Sequence, residues 1–157
     1  EREISSYLVK LSSKDLSQGN RETVNGLFNT INDMERIGDH AENIAELAQL
    51  KIDNKLAFSE EAMEELNEIA SLVLKAYKDS LTAIRNLDVS LAMKVLETEG
   101  RVDVLEKALR SNHIERLNNQ MCVPTSGVIF LDIISNLERV ADHSANIAME
   151  VMDKVKK

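Results

Sequence analysis

Apolar residues recur at helical spacing along almost the whole chain, and breaks in that rhythm divide it into five segments. The first, residues 1 to about 13, carries Ile4, Leu8 and Leu11. A polar stretch, Ser17, Gln18, Gly19 and Asn20, interrupts it. The second, about 21–52, has the stripe Leu27, Ile31, Met34, Gly38, Ala41, Ala45 and Ala48, spaced 4,3,4,3,4,3. Such a seam predicts a helix facing other helices. Ser59, followed by Glu60 and Glu61, reads as the capped start of a third segment running to about Asn86. Asp88 reads as the cap of a fourth, through Leu91, Val95, Val102, Leu105 and Leu109 to about Asn119. The break from Met121 to Thr125 holds the only proline, Pro124. The fifth segment repeats the seam with Phe130, Ile134, Leu137, Ala141, Ser144, Ala148 and Val151. Period-two alternation, the mark of strands, is missing. Long helices joined by short loops pack as antiparallel neighbours, so the fold class is all-α, an up-and-down helical bundle of about five helices.

The second and fifth segments share more than a seam. MERIGDHAENIA (34–45) and LERVADHSANIA (137–148) are offset by 103 residues and agree at seven of twelve positions. An internal duplication of this kind defines the architecture before any other feature does. The chain therefore reads as two related helical units, residues 1–53 and 59–157.

Composition narrows the chemistry. A net charge of −8 with pI near 4.9 disfavours a nucleic-acid partner and leaves cations or basic partners. Cys122 is alone, so an intrachain disulfide is excluded, and it reads as a small packing residue at a helix end. The longest apolar cluster, 128–131, is far too short to cross a bilayer. Glu1-Arg2-Glu3-Ile4 reads as mid-helix, so the chain is expected to start inside a longer protein.

Each copy of the repeated phrase holds two acids one helical turn apart on one face, Glu35 with Asp39 and Glu138 with Asp142. Like charges at that spacing repel, and a plain solvated surface would usually place Lys at one of the two. Glu99 and Asp103 form a third such pair. Midway between its centre, residue 101, and that of Glu138/Asp142, residue 140, lies 120.5, in the loop joining the fourth and fifth segments. In an antiparallel hairpin the two pairs must stand level, about 30 Å from the turn. The same reflection of Glu35/Asp39 lands at or just before residue 1; Glu1 and Glu3 lie near it but at spacing two point apart. Clustered carboxylates raise one another's pKa, and a hard cation relieves the conflict. A single pair is better read as a solvated acidic face; three matched pairs point to metal.

His40 and His143 follow the aspartates and are turned about 100° from them, which makes them polar partners in a helix interface before they are ligands. Asn43 and Asn146, one turn after the aspartates, are expected to extend the acidic face as hydrogen-bonding support. Gly38, Ala41, Ala141 and Ser144 lie in the seams at motif height and should let helices approach closely. His113 lies too far from Asp103 for the same site, and the six Met read as core filling. The chain lacks a nucleophile–base pattern, a glycine-rich phosphate loop and a Cys/His metal spacing, so an enzyme is not expected.

ERIGDHAENIAE (35–46), with RSNHIERLNNQMC (110–122) and GVIFLDIISNLERVADHSANIA (127–148), resembles the PhoU family over the whole chain. Within it the resemblance is to the C-terminal PhoU-like domain of bacterial sodium/phosphate cotransporters more than to free-standing PhoU. It implies two three-helix repeats, the first truncated to two helices. It also implies metal ions, among Mg, Mn, Ca, Fe and Zn, bound through Glu35, Asp39, Glu99, Asp103, Glu138 and Asp142. The implied function is a regulatory domain of phosphate uptake on the cytoplasmic face of the plasma membrane, partnered by the transmembrane transporter portion of the same protein. A free-standing PhoU-type regulator is the alternative, ahead of a carboxylate-bridged metalloenzyme or a helix-packing adaptor. A helix short of two full repeats would leave an apolar flank open, so a homodimer is expected.

Overall fold

The computed structural model describes residues 2–155. These form five helices and, among the described residues, no strand: α1 (Arg2–Ser12), α2 (Gln18–Asp53), α3 (Glu60–Asn86), α4 (Val89–Asn118) and α5 (Pro124–Val155). None of them is long and apolar enough to cross a membrane.

The boundaries follow from local chemistry. Ser17 caps α2 by accepting from the backbone N–H of Asn20. Ser59 does the same for α3 through Ala62, and Glu60 and Glu61 place negative charge on the positive end of its dipole. Asp88 caps α4 through Leu91 N–H at 2.9 Å. The α3–α4 turn is two residues long because Leu87 takes a left-handed conformation, φ 54°, and ends α3 immediately before that cap. Pro124 opens α5, where its missing N–H costs nothing and its fixed φ suits the first turn.

Helix α5 is the axis of the molecule. It packs against α2, α3 and α4, while α1 packs on α2. Phe130, Ile134 and Ile147 of α5 meet Ile69 and Val73 of α3 and Val102 of α4, all buried. Each such side chain contributes about 1.5–3 kcal/mol of transfer free energy. Toward the other end the core shrinks to Ala76, Ala83, Ala92, Val95, Ala148 and Val151, so the three helices approach closely there. Helices α3, α4 and α5 thus close a complete three-helix unit.

The predicted seam of α5 is buried at every position from Phe130 to Val151. That of α2 is not, which corrects the expectation. Leu27 and Ile31 are half-buried, while Met34, Gly38, Ala41, Ala45 and Ala48 are exposed. The face α2 turns to α5 is one step round: Gly26, Thr30, Asp33, Ile37, His40, Ile44 and Leu47. The short α1 covers only the beginning of α2, so nothing among the described residues lies over the rest of the seam.

Candidate functional site

The reflection through the α4–α5 loop holds in three dimensions. Glu99 and Asp103 on α4 face Glu138 and Asp142 on α5. Glu99 meets Asp142 carboxyl to carboxyl, in hydrogen-bonding contact. Burial, then the charges of Asp142 and Asp103, then that contact hold Glu99 above the ordinary carboxylate range. Glu138 is also pushed up, first by burial and then by Asp142, with Arg139 opposing and Glu106 and Asp103 adding to the rise.

Cations attend the group from its own helices. Lys107 Nζ lies 2.7 Å from Asp103. Arg139 is 3.3 Å from Asp142 and 3.6 Å from Glu138. Glu106, buried one turn beyond Asp103 and paired with Arg110, is a further acid on the same face that the sequence reading missed. Its signal was present: 99, 103 and 106 follow the i, i+4, i+7 pattern of one helix face. As the side chains stand, no three His, Cys, Asp or Glu residues among those described converge closely enough to hold a metal ion together. The second repeat therefore presents two facing carboxylate pairs rather than a formed cage.

The first repeat differs. Glu35 and Asp39 are exposed, with Arg36 3.7 Å from Asp39. Glu3 on α1 is exposed, and Glu1 lies outside the described residues. The described chain brings no set of acids to this motif.

The histidines and asparagines of the motif turn to the α2–α5 interface, where they bind the two repeats together. His143 Nδ1 is 2.8 Å from Asp33 Oδ1, and the Asn146 amide donates to the same oxygen at 3.1 Å. His40 Nδ1 is 2.8 Å from Asn136 Oδ1, and Asn43 donates to it at 3.2 Å. Asp33 and Asn136 are themselves equivalent, each two residues before the glutamate of its motif. The arrangement is a reciprocal clasp about a pseudo-twofold axis, with the His40 and His143 rings stacked at 5.6 Å. Asn43 and Asn146 thus make these contacts with the opposing repeat, where support for their own aspartates was expected. The sequence reading did not single out Asp33 or Asn136, although their repeat offset of 103 marks them.

A separate buried knot fastens the far end of the bundle. Arg116 binds Glu65 across α3–α4, with Nη2 to Oε2 at 2.5 Å, and lies over the Phe130 ring. Burial raises Glu65, but the hydrogen bonds from Arg116 and Asn112 outweigh it and hold the carboxyl below its ordinary range. His113, 2% exposed, stacks on Phe130 at 4.7 Å. Burial, with Arg116 reinforcing it and Glu65 opposing, lowers its pKa. Gly127 is required here, since a Cβ at that position would stand 2.7 Å from His113 Nε2. The Cys122 thiol lies 3.9 Å from the same nitrogen, near the end of α4.

Known proteins share both the sequence and the fold. The family model described as PhoU domain matches residues 1–48 and 66–151. The phosphate-specific transport system accessory protein PhoU homolog 1 of Thermotoga maritima is 33% identical over 121 residues, covering 77% of this chain and 51% of that protein. A PhoU homolog of Xylella fastidiosa is 29% identical over 153 residues, covering 97% of the chain and 63% of that protein. The chain thus spans about half to two thirds of the length of these relatives. The phosphate transport system regulatory protein PhoU of Streptococcus pneumoniae superposes with a TM-score of 0.84 at 27% identity, covering 98% of this chain and 71% of that one. PhoU from Pseudomonas aeruginosa superposes with a TM-score of 0.91 at 24% identity, covering 99% and 74%, a likeness of fold. These relatives carry the names of transport-system accessory proteins rather than of cotransporter domains, which shifts weight from the expected cotransporter setting to its alternative. With the family model covering both copies of the duplicated motif, the chain belongs to the PhoU family.

Proposed function

We propose that this chain acts as a PhoU-type regulator of a phosphate transport system, and that a hard cation held by Glu99, Asp103, Glu138 and Asp142 sets the state of its second repeat. The regulatory role is supported by the names of the relatives at 27–33% identity. An accessory protein acting at the cytoplasmic side of a separate transporter fits those names better than a domain fused to a sodium-coupled cotransporter. The role is one of binding and signalling, with no catalytic step assigned.

The cation reading rests on one observation, the contact of Glu99 with Asp142 at the level of the duplicated motif. Burial first, and then neighbouring carboxylates, hold Glu99 and Glu138 above their ordinary range, and a cation beside them would relieve the carboxylate repulsion. Its oxygen-only donors suit Mg, Mn, Ca or iron. The cation would supply the charge that Lys107 and Arg139 now supply from the rim, and would tie α4 to α5. Glu35 and Asp39 lack such a facing pair among the described residues and are assigned the weaker site.

A cell lacking its own PhoU protein provides the test. The protein should restore phosphate-dependent control of phosphate uptake, and Glu138→Gln with Asp142→Asn should not. Uptake indifferent to the wild-type protein would overturn the regulatory role; restoration by the double variant would overturn the cation site alone.

A further inference from the structure

Two surface troughs lie along the α2–α5 crossing, and the duplication relates them residue by residue. The first, about 460 Å³, is lined by Asn43, Glu46, Leu47 and Leu50 of α2 and by Asp132 and Asn136 of α5. Adding the repeat offset of 103 to the α2 positions, and subtracting it from the α5 ones, gives Asn146, Met149, Glu150, Asp153, Asn29 and Asp33. All six line the second trough, about 420 Å³. Two antiparallel helices exchange only about an axis normal to their common plane, so both troughs open on the same face of the pair.

The shape is duplicated but the chemistry has diverged. Where the second trough has Glu150 and Asp153, the first has Leu47 and Leu50. At Leu50 the first trough runs on into a further hollow of about 500 Å³, walled by Pro124, Val128 and Ile129. Leu50 is 48% and Val128 59% exposed, so apolar surface faces solvent inside a concave floor. From Asn43 to Asn54 the floor follows α2 for roughly 16 Å, about three helical turns. Its rim is acidic on both walls, Glu46 on α2 and Asp132 on α5, and no cation among the described residues lines it.

We infer that this trough is a docking groove for an amphipathic helix of a partner protein, one with an aliphatic stripe flanked by Lys or Arg. A concave apolar floor of this length takes such a stripe in helix-in-groove fashion. The acidic rim selects the flanks by charge complementarity, which steers association and excludes acidic competitors. A second copy of this chain is the poorer occupant, because its net charge is −8 and its own trough carries the same acidic rim. The inference is independent of the carboxylate site, which uses other residues.

The test uses a fluorescein-labelled probe peptide of about 18 residues, five helical turns, with a Leu stripe and Lys flanks. Its counterpart keeps the stripe and replaces Lys by Glu. Fluorescence anisotropy against the whole protein should show the Lys peptide binding about tenfold or more tighter than the Glu peptide, and more weakly as salt rises. Leu50→Glu and Val128→Glu, both at exposed positions, should each weaken binding about tenfold with helix content unchanged by circular dichroism. Asp153→Lys, in the other trough, should leave it unchanged. Absence of binding, equal binding of both peptides, or binding that survives Leu50→Glu and Val128→Glu would overturn the proposal. So would a wild-type dimer that Leu50→Glu converts to a monomer, which would make a second copy the occupant.

Discussion

Helices α2 and α5 carry nearly the same phrase in the same register, yet one is the centre of the molecule and the other its edge. Leu137 is 9% exposed; its equivalent Met34 is 40%. Ala141, Ser144 and Ala148 are sealed, while Gly38, Ala41 and Ala45 face solvent. The difference lies in what covers each helix, since α3 and α4 close over α5, whereas apart from α5 itself only the short α1 packs on α2. A heptad seam reports that a helix can be covered on that face. It does not report that the cover is present.

The sharpest way to break this comparison is to truncate the same position in both copies. Ile134→Ala should cost about 2–5 kcal/mol, since the side chain is fully buried and leaves a cavity. Ile31→Ala, at a half-buried site, should cost less than half as much. Urea unfolding of the two variants checks this, and equal losses would mean that the α2 seam is covered in solution.

The clasp between the repeats should come next in size. Asp33→Ala strands His143 and Asn146, and Asn136→Ala strands His40 and Asn43, at about 1–3 kcal/mol each. Combined with His143→Ala, Asp33→Ala should be clearly non-additive in a double-mutant cycle. Additive costs would mean that the two residues do not act as a pair.

Smaller effects follow from titration. The folded-state pKa of Glu99 lies above its unfolded value, so the folded protein holds that proton more tightly. The benefit is present at low pH and is lost as pH rises from about 4.5 through the raised value. Glu99→Gln should therefore raise the melting temperature of the metal-free protein at pH 7 and leave it unchanged at pH 4. His113 works in the opposite sense. Its folded pKa is lowered, so its contribution is present above about 6.5 and falls away as the pH drops below it. Melts at pH 7, 6 and 5 should show a decline through that range that His113→Gln flattens.

The smallest effect belongs again to the edge helix. Gly38 has open space where a Cβ would sit, so Gly38→Ala should stabilise by about 0.5–1 kcal/mol through helix propensity alone. A loss of stability there would show that α2 is closely approached at that residue.

Height along the bundle was legible in the sequence, and rotation about each helix axis was not. Two positions equidistant from a loop must stand level in a hairpin, so Glu99 and Asp142 could be placed side by side from residue numbers. Which way α2 turned its seam depended on neighbours that the repeat itself does not encode. The helix caps at Ser59 and Asp88 were readable because a cap is a contact within four residues. Asp33, Asn136 and Glu106 have nothing in their immediate sequence neighbourhood to mark them. Their partners lie across an interface or a turn away, and only the repeat offset or the helical period marks them.

The account turns on the second repeat holding the cation site and the first holding the weaker one. Thermal melts in Mn²⁺, with and without a chelator, test this most directly on the wild-type protein, Glu35→Gln with Asp39→Asn, and Glu138→Gln with Asp142→Asn. Mn²⁺ should raise the melting temperature of the first two and move the third far less. A shift that disappears with the α2 pair and survives loss of the α5 pair, or no shift in the wild type, would contradict it.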